Sequence, residues 1–120
     1  MGWKFDSALP VSIQIAEKLK REILNGKYPS GSQFPTVRQL AFETSANPNT
    51  VQKALLSLET EGLLESHGTV GRFVTSDASV LEAVYNKQCR KFISEVLESA
   101  AELGISREKF MEFIKEGNGE

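Results

Sequence analysis

Two short helical patterns and a glycine-rich hairpin pattern follow one another between Phe34 and Val74, and this order limits the possible folds more than any other feature. Thr36 precedes Gln39 by the spacing of a capping box, so a helix is expected to begin at this threonine. Asn47 and Pro48 provide an N-cap and a proline for the first helical position. A second helix is therefore expected to begin at Pro48.

The second helix is expected to have one apolar and one polar side. Its apolar residues recur at helical spacing and predict the buried side: Val51, Ala54, Leu55 and Leu58. The polar residues fall on the opposite side: Asn49, Thr50, Gln52 and Lys53.

A hairpin is expected after Gly62, because residues 63–66 and 72–75 flank a turn that contains Gly68 and Gly71. Two helices followed by such a hairpin are the outline of a winged helix-turn-helix. The sequence thus predicts a mainly α fold with a small β wing. This fold is used mainly to hold a helix against DNA.

A further helix is expected before these elements, between residues 12 and 25. Ile15, Leu19 and Ile23 recur at four-residue steps, and Gly26 follows as a C-terminal glycine. This helix and the two that follow predict a three-helix core. The segment from Gly26 to Pro35 contains two Pro and two Gly among its ten residues, so it is expected to be a turn-rich loop.

A long helical pattern follows the wing. Ser76 or Asp77 is expected to cap a helix that persists to Gly104 and is roughly 40 Å long, and Ser106 is expected to cap a last short helix. The long helix exceeds the width of a small domain, so it cannot bury its apolar stripe there alone. We expect a helical hairpin that pairs with its copy in a second chain. The expected dimerisation residues are Leu81, Tyr85, Phe92, Val96, Phe110, Phe113 and Ile114.

This pattern predicts two domains: a DNA-binding domain at residues 1–75 and a two-helix dimerisation tail at residues 76–120. No apolar run approaches the roughly 20 residues that span a bilayer, and the first ten residues lack the apolar core of a signal peptide. The single cysteine, Cys89, excludes an internal disulfide and suits a reducing cytoplasm. On the apolar stripe it is expected to be a core residue.

The sequence offers no basis for catalysis. It has one histidine and one cysteine, no glycine-rich phosphate loop and no supported serine-base arrangement. We therefore expect that the protein is not an enzyme and that it binds neither a metal ion nor a cofactor.

The charge is unusual for a DNA-binding protein, because the formal net charge is -2 and the sequence pI is about 5.5. Residues 1–75 carry eight Lys or Arg against seven Asp or Glu, whereas residues 76–120 carry six against nine. The near-neutral first part predicts modest non-specific affinity and a greater dependence on dimerisation and on directed contacts.

The stretch from Pro10 to Val74 resembles the DNA-binding domain of the GntR family of bacterial transcription regulators. The resemblance lies in the PVSIQIAEKLKREILNGKYPSGSQFPTVRQLA opening, the NPNTVQKALLSLETEGLL helix and the HGTVGRFV wing. The short two-helix tail resembles the YtrA-type branch of that family. This resemblance implies a homodimeric regulator, commonly a repressor of a transporter operon.

The resemblance also implies which residues contact DNA: Arg38, Asn47, Asn49, Thr50, His67 and Gly68. The sequence departs from the commoner family pattern at two positions. Pro48 stands where many relatives have a basic residue, and Gln52 where many have arginine. The NPNT form is similar to the YtrA-type version.

The residue types on the second helix suit a major groove. Asn49 and Gln52 can make bidentate contacts to adenine, Thr50 offers a hydroxyl and a methyl group, and Lys53 can reach a guanine or a phosphate. Free backbone N–H groups at residues 48–51 favour a nearby phosphate. The alternative is a solvated face on which Asn47 is only a cap.

Three further side chains have two interpretations each. Arg38 lies near the positive end of its helix, which favours a phosphate partner, but a salt bridge with Glu43 or Glu22 is the alternative. His67 is either an exposed turn residue or reaches the minor groove or a phosphate, with Gly68 allowing close approach. Arg72 either serves the DNA backbone from the wing or pairs with Glu65 across the hairpin.

The sequence thus predicts a cytoplasmic, homodimeric regulator of transcription, with a repressor as the favoured role. Its dimer is expected to place two recognition helices in successive major grooves of an inverted-repeat operator, with half-sites about 10 bp apart or a multiple of that. The alternative function is a protein-interaction module in which the winged fold is scaffold. An aromatic-lined dimer interface also leaves room for an unknown small-molecule effector.

Overall fold

The computed structural model describes residues 2–118. The elements in chain order are α1 (Val11–Leu24), α2 (Val37–Thr44), α3 (Pro48–Thr60), β1 (Leu64–Ser66), β2 (Arg72–Val74), α4 (Ala78–Glu102) and α5 (Arg107–Asn118), with a short 3-10 turn at Gly68–Val70. The two strands form an antiparallel sheet. The expected fold class is confirmed: the chain is mainly helical, with a winged helix-turn-helix and two helices after it.

The core of the winged part forms where the apolar stripes of the first three helices meet. Ile15 and Leu19 of α1, Leu40 of α2, and Val51 and Leu55 of α3 are fully buried. The predicted three-helix core is therefore confirmed. The core also receives Leu58 from α3, Phe34 from the preceding loop, and Leu63, Leu64 and Val74 from the wing.

The predicted helix starts are also present. Thr36 Oγ1 accepts a hydrogen bond from Gln39 N at 3.1 Å, and Gln39 Oε1 accepts one from Thr36 N at 2.8 Å, which completes the capping box. At the start of α4, Asp77 Oδ1 accepts hydrogen bonds from the backbone N–H and the hydroxyl of Ser79 at 2.9 and 2.6 Å. The bond from the Ser79 hydroxyl is the main reason that the pKa of Asp77 lies below its ordinary value of 3.8.

The N-terminal segment packs onto the core, which the sequence did not predict. Trp3 and Phe5 are partly buried against it, and Trp3 N donates a hydrogen bond to Thr44 O at 3.3 Å. Lys18 Nζ lies 4.1 Å from the centroid of the Trp3 ring. A Cβ at Gly2 would come within 2.8 Å of Thr44 O, so this close approach requires glycine.

The segment from Gly26 to Pro35 is a loop with turns, as predicted, but its last part also pairs with β2, which the sequence did not indicate. Val74 N donates to Ser32 O at 2.9 Å, and Phe34 N donates to Arg72 O at 2.8 Å, so this segment runs along the outer edge of β2. The glycines and prolines that indicate turns do not reveal that the backbone between them pairs with a strand far along the chain.

The chain divides into two compact units, Met1–Val84 and Tyr85–Glu120, and α4 runs through the boundary. Leu81 and Val84 pack against the core of the first unit, because the first turns of α4 cover part of it. The boundary between the two compact units thus lies inside α4. The predicted boundary after Thr75, between a DNA-binding domain and a dimerisation tail, stays a prediction.

In the second unit, α5 follows α4 through a turn at Gly104, whose φ is +80°. Ser106 Oγ accepts a hydrogen bond from Lys109 N at 3.1 Å at the start of α5. Within residues 2–118, no helix is long and apolar enough to cross a membrane.

Candidate nucleic-acid interface

The outward side of α3 carries the predicted base-reading residues. Asn49 and Lys53 are exposed, and Thr50 and Gln52 are half-buried at the margins of this side. Because residues 49 and 53 are four apart, they lie on one ridge of the helix. The polar side predicted from the spacing is therefore present and faces away from the core.

The expectation of free N–H groups at the start of α3 is wrong. Asn47 Oδ1 accepts a hydrogen bond from Asn49 N at 2.7 Å, and Asn47 O accepts from Thr50 N at 2.9 Å and from Val51 N at 3.1 Å. Pro48 has no N–H to offer. Asn47 alone thus satisfies these backbone donors, so any DNA contact at this helix start falls to side chains.

Arg38 lies on the exposed side of α2. Among the described residues it makes no hydrogen bond and no salt bridge, whereas Glu22 is paired with Lys27 at 3.0 Å. The alternative of a salt bridge from Arg38 to Glu22 or Glu43 is therefore wrong for this structure. The guanidinium is available to a phosphate.

The wing tip is a tight turn held by backbone and side-chain bonds. His67 N donates to Gly71 O at 2.8 Å, and Gln33 Nε2 donates to Val70 O at 2.8 Å. A Cβ at Gly71 would lie 3.0 Å from Gln33 Nε2, and the φ of Gly71 is +124°, so glycine is required there. Sequence reasoning missed Gln33, because no local pattern indicates that the loop before α2 reaches the wing.

The predicted wing residues differ in their surroundings. The side chain of His67 is half exposed; its ring meets that of Phe73 edge-on at 4.9 Å, and its Nε2 lies 3.4 Å from Glu65 Oε1. Gly68 has a φ of +60°, and a Cβ there would meet open space. The φ of Gly68, and not crowding inside the chain, explains the glycine.

Arg72 does not pair with Glu65, the partner that was the alternative to the DNA backbone, but contacts two residues of α3. Its Nε forms a salt bridge with Glu59 Oε1 on α3, and its Nη2 donates to Gln52 Oε1 at 3.4 Å. The predicted alternative, a pair with Glu65, is wrong because the register aligns Arg72 with Ser66 and Glu65 with Phe73. Successive strand residues point to opposite faces, so Arg72 shares the face of the core and not that of Glu65.

The structure therefore brings Gln52 and Arg72 together. Within residues 2–118, no hydrogen bond joins Arg38 or His67 to either of them, so the predicted interface consists of separate points on α2, α3 and the wing. The same range holds no cluster of three or more His, Cys, Asp or Glu that could bind a metal ion.

Residues 12–74 match the family model of the bacterial regulatory proteins, gntR family. The chain belongs to this family. It is 33% identical over 111 residues to the HTH-type transcriptional repressor YtrA of Bacillus subtilis (strain 168), a match that covers 92% of this chain and 85% of that relative. The predicted GntR resemblance is confirmed.

Two solved structures support the same fold. A GntR family transcriptional regulator from Listeria monocytogenes matches with a TM-score of 0.86 and 28% identity, over 93% of this chain and 98% of that one. The DNA-binding domain of AraR in complex with operator ORR3 matches with a TM-score of 0.55 and 31% identity, over 62% of this chain and 88% of that one. The GntR family consists of DNA-binding transcription regulators and not of enzymes, and this chain is such a regulator.

Proposed function

We propose that this regulator is a homodimeric repressor that binds an inverted-repeat operator in the bacterial cytoplasm. The observation that carries the proposal is the combination of a polar, exposed ridge on α3 with an uncovered apolar surface on the second unit. The relative YtrA is named a repressor, which supports that role for this chain. A transporter operon as the target rests on the family resemblance alone.

The dimer rests on the second unit. Several of its large apolar side chains are about half exposed or more, among them Tyr85 at 53%, Phe92 at 61% and Phe113 at 51%. Tyr85 and Phe92 are seven residues apart and therefore lie on one side of α4, and apolar side chains exposed together in this way are typical of protein interfaces. Of the other predicted residues, Ile114 is 41% exposed and Val96 and Phe110 are half-buried, whereas Leu81 packs on the winged core.

The proposed division of roles follows the chemistry of each side chain. Asn49 and Thr50 read base edges in the major groove, and Lys53 contacts a guanine or a phosphate. Arg38 contacts the DNA backbone and fixes the register of the protein. His67 and Gly68 bring the wing tip to the adjacent minor groove or phosphate.

The test is selection of bound fragments from a randomised duplex library, followed by titration of the selected site. Asn49→Ala and Thr50→Ala are expected to lose the sequence preference. Ser57→Ala is the matched control, because Ser57 is an exposed residue of α3 two turns further from its start. Unchanged affinity and preference in both reading variants would refute the proposed mapping.

The alternative, a protein-interaction module, is favoured only by the near-neutral charge of the winged part. Titration of duplex DNA at two salt concentrations separates the two functions. A DNA-binding dimer gives affinity that falls steeply with salt, whereas a docking module shows little binding even at low salt.

A small-molecule effector is best sought in the second unit. A cleft of about 260 Å³ lies where α4 turns into α5, and Leu97, Ile105 and Phe110 provide its apolar side while Glu98 and Arg107 provide charge.

A further inference from the structure

One contact links the wing directly to the recognition helix. The guanidinium of Arg72 on β2 donates from Nε to Glu59 and from Nη2 to Gln52, both on α3. Gln52 and Glu59 are seven residues apart, which places them two turns apart on one side of the helix. The side chains of Arg72 and Glu59 are only 18% and 24% exposed, so the ion pair is largely shielded from water.

The backbone of Arg72 is held on both sides. On one side the residue pairs with Ser66 of β1, and on the other its carbonyl accepts a hydrogen bond from Phe34 N at 2.8 Å. The guanidinium therefore extends from a fixed point towards α3. The salt bridge with Glu59 then fixes its direction, because a guanidinium is planar and its donors have a set geometry.

We propose that Arg72 is a positioning residue that orients the Gln52 amide for reading one base pair. The inference rests on the proposed function, since it requires that α3 reads bases. A guanidinium has donors and no acceptor, so only the amide oxygen of Gln52 can face it. The flipped amide would place one donor against another. Arg72 therefore fixes the directions in which the amide oxygen and the amide nitrogen of Gln52 point.

This orientation matters because the two ends of the amide have different partners on DNA. A bidentate contact to adenine needs the amide oxygen and the amide nitrogen in one order along the base edge. A free glutamine samples both orders, whereas Gln52 next to Arg72 has one. The wing thus contributes to base selection in the major groove through a protein contact.

A substitution at Glu59 distinguishes this positioning role from a direct contact between Arg72 and a phosphate. If Arg72 bound phosphate, removing the charge of Glu59 would release the guanidinium and strengthen binding to all duplexes. If Arg72 positions Gln52, removing that charge loosens the guanidinium and weakens selection at one base pair. The substitution Glu59→Gln therefore changes a different quantity under each role: the affinity for all duplexes if Arg72 binds phosphate, and the preference at one base pair if Arg72 positions Gln52.

The experiment uses the full chain and a randomised duplex library. Gln52→Ala first locates the operator position that Gln52 reads, as the position where the selected base preference is lost. At that position we expect a preference of about tenfold in the wild type to fall to about twofold in Arg72→Lys and in Glu59→Gln. Lysine retains the charge but lacks the fork that reaches both partners. Preferences elsewhere and the salt dependence are expected to be unchanged.

Three outcomes overturn the inference. The first is an unchanged preference at the Gln52 position in both variants, and the second is a loss at a different position. The third is uniformly weaker binding of Arg72→Lys together with uniformly tighter binding of Glu59→Gln, which assigns Arg72 to a phosphate. If thermal unfolding shows that Arg72→Lys does not fold, the base preference of Glu59→Gln at the Gln52 position is the deciding measurement. A wild type without any sequence preference refutes the proposed function, and the inference with it, so the two failures are distinguishable.

Discussion

Arg38 and Arg72 show how differently two arginines of one DNA-binding domain are used. Arg38 is exposed and has no protein partner among the described residues, whereas Arg72 is committed to Glu59 and Gln52. A cation without a protein partner near the positive end of its helix does not stabilise that helix, which supports the proposal that Arg38 binds a phosphate. An arginine already in a shielded ion pair would lose that pair on moving to DNA.

The first prediction concerns Arg38. Arg38→Ala is expected to weaken binding to all duplexes alike and to reduce the slope of log K against log salt by about 1, because one phosphate contact is lost. Gel-shift titration at several salt concentrations measures both quantities. Arg21→Ala, an exposed arginine of α1, is the matched control and should leave the slope unchanged. A preference lost at one base pair would contradict a phosphate contact.

For single residues, the sequence predicts which of them share a helix face but not which side chains of different helices and strands are in contact. Helical spacing was sufficient to separate Asn49 and Lys53 from the buried residues of α3. The partners of Arg72 depend on the hairpin register and on the packing of β2 beside α3, which no local pattern specifies. Pairing with Glu65 therefore looked equally reasonable in the sequence.

Among the elements, the start of α3 depends most on a single residue. Asn47 satisfies three backbone donors, one with its side chain and two with its carbonyl, and only the first bond is lost on substitution by alanine. Asn47 therefore contributes to stability and also holds the start of the helix that carries the proposed base-reading residues.

The second prediction tests that support. Asn47→Ala is expected to lower the free energy of unfolding by about 1 kcal/mol, since a helix loses its N-cap. Urea denaturation followed by circular dichroism measures the change. Asn47→Asp retains an acceptor at the same place and should recover most of the stability. A loss in both variants alike would mean that the side-chain cap is not the cause.

The third prediction concerns pH and the start of α4. Hydrogen bonds from Ser79 lower the pKa of Asp77, so the folded state favours its carboxylate. The stability that this provides is fully present above the ordinary pKa of 3.8 and is lost as the pH falls through the lower pKa of the folded state. Asp77→Asn cannot titrate, so the stability difference between wild type and variant should shrink over that acidic range. A difference independent of pH would contradict the assignment.

Helices whose first residues form a cap could be predicted from the sequence. Segments positioned by hydrogen bonds to residues far along the chain could not. The capping box at Thr36 and the cap at Asn47 placed two helices from the sequence alone. The N-terminal segment around Trp3 and the strand-like segment at residues 31–34 owe their positions to bonds with Thr44 and with β2. Such partners lie far along the chain, so no local sequence pattern indicated these two contacts.

For the whole molecule, the weak charge of the winged part makes a second copy important. Eight Lys or Arg against seven Asp or Glu in residues 1–75 leave little general attraction for DNA, so one domain is expected to bind weakly. Linking two domains makes the second contact effectively intramolecular, which raises overall affinity by a factor on the order of 100 or more without any new type of contact. The proposed dimer surface thus accounts for how a near-neutral domain holds an operator.

The last prediction tests this link between assembly and DNA binding. Phe92→Asp places a charge on the exposed apolar side of α4 in the second unit, where burial against a partner would be costly. It is expected to convert the dimer to a monomer at micromolar concentration, measured by light scattering. On a selected inverted-repeat duplex the affinity should fall by at least about 100-fold, whereas the affinity for a single half-site should be unchanged.

Phe42→Asp is the matched control, because Phe42 is 88% exposed but lies on α2 in the winged unit. It introduces the same charge and removes the same aromatic ring, so the dimer should persist in light scattering. Because Phe42 is one turn from Arg38 on α2, this variant is a control for assembly and not for DNA affinity. A Phe92→Asp chain that remains dimeric would place the interface elsewhere. A monomer that still binds the inverted repeat as tightly as the wild type would mean that one winged domain suffices, and the role assigned to the tail would then be wrong.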